Sequence, residues 1–462
     1  MKTEHRSGAE PEFFGTGSIG KVLLRVAPPV MLAQLIQALY NVVDSFFVGR
    51  YSQDALTAVT VIYPLQLIIV ALAVGTGVGV NTYMARQYAS GKGDRTEKTA
   101  GTGTVLAVLS WGIFALISSL ILRAYIRTSA TEPGAILQAE VYGRIVCVGS
   151  IGIFLESNWS KIHQARGNML RPMFAQVAGA VTNVILDPIL IFGMGPFPEL
   201  GIAGAAYATV IGQCVVALIT VFGALRKPPE VREMASLAGC IYRYGYSSIL
   251  MQALYTVYIV LLNVILSGFS DAAVTVLGLY YKLQSFFFIP LFGLQTCIVP
   301  VLGFNCARKN YRRCRETMRD SFRISCAFML LGTVGFLFFP EPLIRLFSDS
   351  EAVLTIGKAA FPIIGCSFFA AVFSLIMPTF FQAIGRGAPS LLLSLTRQIF
   401  VLVPVFWAFS KVGLDYTWIA FPVAEVTAGA LGLLLYRRQL RKWAQETTEK
   451  EETGKHIEGE KI

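Results

Sequence analysis

Residues 55–85 read ALTAVTVIYPLQLIIVALAVGTGVGVNTYMA, thirty-one positions without one charged side chain. About 20 apolar residues in helical form cross the hydrocarbon core of a bilayer, so this stretch spans it with residues to spare. The whole chain of 462 residues has the same character, 54% hydrophobic and 15% charged, against about 25% charged in an average soluble domain. Charge-free runs recur over 99–122, 200–225, 244–270 and 359–385, while the runs 22–48 and 169–193 carry one acid each, Asp44 and Asp187. Further spans are expected over about 136–160, 272–304, 317–339, 388–410 and 416–436, twelve in all. Runs of this length without two-residue alternation indicate helices, which satisfy their own backbone in lipid, and not barrel strands. The expected fold class is therefore an all-α polytopic membrane protein with twelve transmembrane helices.

A net charge of +11 would point to nucleic acid in a soluble protein. Here it follows the membrane. With the N-terminus placed inside, thirty-one of the 39 lysines and arginines fall on the cytoplasmic side, among them Lys21, Arg25, Arg86, Arg226, Arg243 and the seven from Arg308 to Arg323. Cytoplasmic loops retain such residues. The expected placement is multi-pass in the cytoplasmic membrane with both termini cytoplasmic, surrounded by lipid and without a nucleic-acid partner. Residues 1–20 lack the apolar core of a cleavable signal, which leaves insertion to the first helix.

The chain also repeats itself. Gln37-Ala38-Leu39-Tyr40 recurs as Gln252-Ala253-Leu254-Tyr255, Leu65-Gln66 as Leu283-Gln284, and Gln164-Ala165-Arg166-Gly167 as Gln382-Ala383-Ile384-Gly385, at offsets of 215 to 218. A nearly constant offset indicates two six-helix bundles. The expected organisation is a cytoplasmic tail over 1–17, an N-terminal lobe over 18–225, a cytoplasmic linker over 226–238, a C-terminal lobe over 239–438 and a charged cytoplasmic tail over 439–462. Six is even, so both bundles enter the membrane the same way round, related by a pseudo-two-fold axis along its normal. Many secondary transporters are built so, with the substrate cavity between the halves and rocking of one against the other as the source of alternating access. Gly75, Gly77 and Gly79 are expected to form a ridge for close helix contact.

A carboxylate at a helix centre costs about 2.5 to 3.5 kcal/mol on insertion scales. Of the acids, Asp44, Glu156, Asp187 and Glu425 lie well inside spans, with Glu140 and Asp320 near the ends of theirs. Gln34, Gln37, Asn41 and Asp44 share one helical face, Asn183 and Asp187 are one turn apart before Pro188, and Thr209 lies in the sixth span. Asp44 and Asp187 each stand six residues before the outer end of their span, which at ~1.5 Å per residue gives them similar depth. They are expected to converge in the outer half of the N-terminal bundle. For Glu156 an ion pair with Lys161 and a functional role stand equally open. In the C-terminal half Arg397 and Glu425 are expected as a buried pair, and Tyr40, Gln252, Tyr255, Phe287 and Met377 are expected to join Gln34, Gln37 and Asn41 around a substrate cavity. The only histidines, His5, His163 and His456, lie outside the membrane core, and no phosphate-binding loop appears. Neither an enzyme nor a cofactor is expected.

The stretches Asn41-Val42-Val43-Asp44-Ser45-Phe46-Phe47-Val48-Gly49, Asn183-Val184-Ile185-Leu186-Asp187-Pro188-Ile189-Leu190-Ile191-Phe192-Gly193 and Gly201-Ile202-Ala203-Gly204-Ala205-Ala206-Tyr207-Ala208-Thr209, with the six-plus-six repeat, resemble the multidrug and toxic compound extrusion (MATE) family of the MOP flippase superfamily, in its bacterial DinF/MepA-like branch. The resemblance covers about 18–438. It implies a monomeric antiporter that exports xenobiotics, antibiotics among them. Asp44 and Asp187 would bind H+ or Na+, with Asn183 and Thr209 lending oxygens; Asp44, Asn183 and Asp187 would be metal ligands only with Na+. Another branch keeps coupling acids in the seventh and tenth spans, where this chain has none. The expected function is exchange of external H+ or Na+ for an intracellular organic compound, cationic or amphipathic, with the first helix bending near Pro28 and Pro29. The alternative is a lipid-linked precursor flippase of the same superfamily, with Lys282 and Arg397 to hold pyrophosphate; a membrane-embedded enzyme or a passive channel stands behind both.

Overall fold

A computed structural model describes residues 12–129, 133–348 and 350–459. The first eleven residues of the expected tail, with Lys2, His5 and Arg6, lie outside them, as does Lys461. Among the described residues the regular structure is helical throughout. Eleven helices are long and apolar enough to cross a membrane: Ile19–Tyr51, Asp54–Ala89, Gly93–Arg127, Pro133–Ala165, Leu170–Phe192, Ile202–Thr220, Val231–Ser267, Ile289–Ala307, Tyr311–Phe338, Gly387–Ser410 and Leu414–Glu446. The pair Glu351–Gly365 and Phe368–Ala383, bent by 58° at its junction, makes the twelfth span. Each expected span has its counterpart.

In the eighth, tenth and eleventh spans a proline stands close to a departure from the unbroken rod. The eighth begins as Asp271–Phe287 and restarts at Ile289, with Pro290 in the first turn of the new helix, where a missing N–H leaves no carbonyl bereft. The tenth carries Pro362 just before its bend. The eleventh widens into a π-helix over Thr396–Leu402 ahead of Pro404, whose ring and missing N–H are incompatible with an ordinary turn onto the Phe400 carbonyl. The linker expected over 226–238 is non-helical only to Glu230, since Val231 already opens the seventh helix. Into the expected charged tail the last helix runs on unbroken, Ala420–Gly459.

Packing divides the protein into lobes, and the first span belongs to both. One core gathers Ile62, Phe114, Tyr142, Phe154 and Ala205 from the N-terminal half. The other gathers Phe336, Phe361, Phe368 and Phe380 from the C-terminal half, together with Ile19, Val22, Leu23, Val26 and Val30 of the first helix. Hydrogen bonds fix that inner end: Asn305 Nδ2 and Arg313 Nη2 donate to the Phe14 carbonyl (2.9 and 3.0 Å). Farther along, the same helix packs against the fifth span. A lobe boundary near residue 18 thus falls ahead of a helix whose inner third is C-terminal core.

The glycine ridge of the second span serves two contacts. Gly75 and Gly79, one turn apart, face the seventh helix, where a Cβ on Gly79 would lie 3.1 Å from the Gly245 Cα; Gly77 faces the fourth, 3.1 Å from the Ser157 carbonyl. Tyr83 stacks on Tyr244 at 5.9 Å and Arg86 donates to the Ile384 carbonyl (3.0 Å). These contacts between the halves lie at the arginine-rich end of the bundle. Gly79→Val is expected to overpack this joint and destabilise the protein by about 1–3 kcal/mol, read as a lower melting temperature of the purified protein; Gly112→Ala, with nothing within 4 Å of its Cβ position, is the control expected to melt no lower.

Candidate functional site

Asp187 is fully buried. It sits on Leu170–Phe192, ahead of Pro188, which offers no N–H to the Val184 carbonyl. Asn183, one turn earlier, is buried beside it, 3.4 Å from Asp187 Oδ1. In the orientation that satisfies both ends of the amide, its nitrogen donates to Asp187 Oδ2 (3.3 Å) and its oxygen accepts from the Thr209 backbone N–H (3.3 Å). Thr209 therefore meets Asn183 through its backbone, which no reading of side-chain type announces.

Asp44 approaches from the first helix, half-buried. Its Oδ1 is shielded and accepts no hydrogen bond. A buried acceptor left unmade costs roughly 1–3 kcal/mol, and more when charged. The Asp44 carboxylate is close enough to Asp187, Tyr40 and Tyr142 for its charge to act on all three. Tyr142, whose hydroxyl accepts from Gln66 Nε2 (3.1 Å), was not foreseen. A tyrosine in the fourth span carries no sequence signal that sets it apart from packing.

Next to this cluster opens a cavity of about 230 Å³. Gln34, Gln37, Tyr40, Asn183 and Thr209 line it, as do Glu156, Lys161, Gln164, Gln176 and Gln213, while Thr296 represents the C-terminal half. This cavity lies mainly within the N-terminal lobe, with Val30 and Thr296 on its C-terminal side. Asp187 stands behind the wall, linked to it by Asn183. Glu156 accepts from Gln176 Nε2 (3.0 Å) and from Ser157 Oγ (3.4 Å), whereas Lys161 Nζ donates to Gln164 Oε1 (3.0 Å). Glu156 and Lys161 do not form the ion pair held open for them. The amides Gln176 and Gln213, like other amides isolated in apolar runs, were overlooked.

Other expected cavity residues lie elsewhere. Asn41 is exposed, its carbonyl accepting from Ser45 Oγ (2.9 Å). Gln252 and Tyr255 are half-buried on the seventh helix, Tyr255 in an aromatic cluster with Tyr258 and Tyr281. Phe287 meets Phe336 edge to ring at 5.7 Å, and Met377 is fully buried against Gly432. None of these lines the cavity; Phe287 and Met377 pack with the C-terminal core instead. Lys282 is exposed. Arg397 Nε and Nη2 both lie 2.9 Å from Glu425 Oε1, and Ser374 Oγ donates to Glu425 Oε2. The π-helical turn carries Arg397 into this contact.

Comparison with known proteins follows the same lines. Two stretches, 29–189 and 247–407, match the family described as MatE, and their displacement equals that between Leu65-Gln66 and Leu283-Gln284. An FAD transporter of Shewanella oneidensis is 23% identical, over 91% of this chain and 95% of its own length. A probable multidrug resistance protein NorM of Thermotoga maritima is 23% identical over 90% and 92%, and a multidrug export protein MepA of Staphylococcus saprophyticus 22% over 92% and 95%. Among solved structures, a MOP superfamily transporter of Pyrococcus furiosus superposes with a TM-score of 0.87 at 23% identity, over 94% of this chain and 98% of that one. An outward-facing multidrug resistance MATE family transporter gives 0.88 at 22% identity, over 95% and 99%.

The Arg397–Glu425 contact carries its own prediction. Breaking a buried ion pair from one side costs about 3–5 kcal/mol, while replacing both partners by apolar groups is often neutral. Arg397→Met and Glu425→Leu are each expected to lower the melting temperature of the purified protein strongly, and the double variant is expected to recover most of the loss.

Proposed function

The chain belongs to the MatE family of membrane transporters, and from that premise we propose that it is a secondary active antiporter exporting small organic compounds, cationic or amphipathic, in exchange for external protons. One observation carries the coupling assignment: Asp44 Oδ1 is buried without a donor, and its charge acts on a second carboxylate, Asp187, that is fully buried. Two carboxylates in one poorly solvated site do not both stay ionised without a compensating cation. The donor set favours H+ over Na+. In the orientation that satisfies both ends of its amide, Asn183 turns its nitrogen toward Asp187 and its oxygen toward the Thr209 N–H, so a sodium ion at the carboxylate would meet an amide donor on the Asn183 side.

A proton arriving at this pair neutralises one carboxylate and removes its repulsion with the other. The first helix, which bears Asp44, also bears Gln34, Gln37 and Tyr40 on the cavity wall, so relief at Asp44 is transmitted to the cargo through one rod. The names of the relatives span drugs and FAD, and the cargo class is taken here from the cavity of this chain. The flippase reading loses its support, because Arg397 is neutralised by Glu425 and Lys282 is exposed. Even with Arg397 set apart by its contact with Glu425, thirty of 39 basic residues fall on one side and support a cytoplasmic placement of both termini in the cell membrane.

Proteoliposomes with an imposed pH gradient, loaded with ethidium, test this reading. Asp44→Asn and Asp187→Asn, inserted at normal levels, are each expected to abolish transport against a gradient. Uphill transport that persists in either variant overturns the assignment, and transport driven by a Na+ gradient at equal pH overturns the choice of proton.

A further inference from the structure

Two charges on the cavity wall take no part in the carboxylate pair. Glu156 and Lys161 are the charged side chains that line it among the described residues. Each is held by a neutral amide, Glu156 Oε2 by Gln176 (3.0 Å) and Lys161 Nζ by Gln164 (3.0 Å), and the Ser157 hydroxyl adds one long bond to Glu156 (3.4 Å). A carboxylate offers about four acceptor positions and an ammonium three donors, so both keep bonding capacity. They do not pair with each other. Opposite charges left separate beside one poorly solvated cavity each carry a desolvation cost. A ligand bearing the complementary charges would relieve both.

The spacing narrows that ligand. Five helical residues separate the two Cα atoms by about 7.5 Å along the axis. Both side chains stand in the lining of the same cavity, so a head that carries an ammonium and a carboxylate on one carbon can meet both, with a charge-assisted hydrogen bond of about 2.8 Å at each end. The neighbouring wall suits an apolar body, with Val70, Val74, Met169 and Met173, and methionine adapts readily to the shape it meets. We propose that Glu156 and Lys161 form a dipolar subsite for the zwitterionic, amino-acid-like head of an amphiphilic cargo, Glu156 taking the ammonium and Lys161 the carboxylate. The subsite names the cargo class of the export reading and rests on it for the direction of movement alone; binding there requires no gradient.

Three matched fluorescent probes separate the charges: Nε-dansyl-lysine carries both, dansylcadaverine is nearly the same chain without the carboxylate, and 6-(dansylamino)hexanoic acid carries the carboxylate alone. They are titrated onto the purified full-length protein in lipid nanodiscs, with empty nanodiscs as background. Nε-dansyl-lysine is expected to bind about tenfold more tightly than either single-charge probe, the gain of one charge-assisted hydrogen bond. Lys161→Gln is expected to bring it down to the affinity of dansylcadaverine, Glu156→Gln to that of the acid, and Lys161→Arg to restore the preference. Equal affinities in the unsubstituted protein, no binding of Nε-dansyl-lysine, or a preference that survives Lys161→Gln overturns the proposal. Efflux of the same probe, measured in parallel, keeps the two readings apart: its loss in Asp44→Asn concerns coupling, whereas the order of the three affinities without a gradient concerns the subsite.

Discussion

Hydrocarbon supplies no partner for a polar group, so each one that this chain carries into the bilayer has to be settled inside the protein. The two lobes settle theirs differently. In the C-terminal lobe Arg397, Glu425 and Ser374 close on one another, and the surrounding aromatic rings leave that half densely packed. In the N-terminal lobe Asp44 keeps an oxygen without a donor, and Asp187 meets the neutral Asn183 amide. Incomplete settlement is expensive in a static structure. It is what a site needs if it is to take up and release a cation.

The joint between the lobes depends on the same economy of space. Gly75 and Gly79 let the second helix approach the seventh closely, and Gly77 gives the fourth the same closeness on another side. A side chain larger than hydrogen at any of these would push helices apart by its own width. The first helix crosses the joint, with its inner third in the C-terminal core and its outer part beside Asp187. Under the proposed coupling, a rod held at one end by one lobe and carrying a titratable group toward the other would link ion binding to lobe motion.

Much of this was legible in the chain. Twelve apolar runs announce twelve spans, since length and hydropathy alone govern membrane insertion, and the near-constant offset of Gln37-Ala38-Leu39-Tyr40 and its echoes announces two bundles. Asp44 and Asp187 stand out because charge is rare and each rare charge is costly, and Asn183 because it stands one turn before Asp187. Legibility failed where a residue's role depends on what faces it. Phe287 and Met377 read as cavity wall and are core; Gln176 and Gln213 carry no signal that sets them apart and are wall; Thr209 contributes a backbone N–H, which every residue but proline possesses.

The sequence by itself determined the class, the number of spans, the repeat and the short list of acids, because all of these follow from the free energy of moving single residues between water and lipid. Tertiary structure alone decided that the cavity lies within the N-terminal lobe and that the first helix is shared between cores. It also decided that Glu156 and Lys161 face the cavity without pairing, while Arg397 and Glu425 pair without facing it. Those outcomes depend on distances between helices far apart in the chain, and no local pattern of residues encodes a distance of that kind.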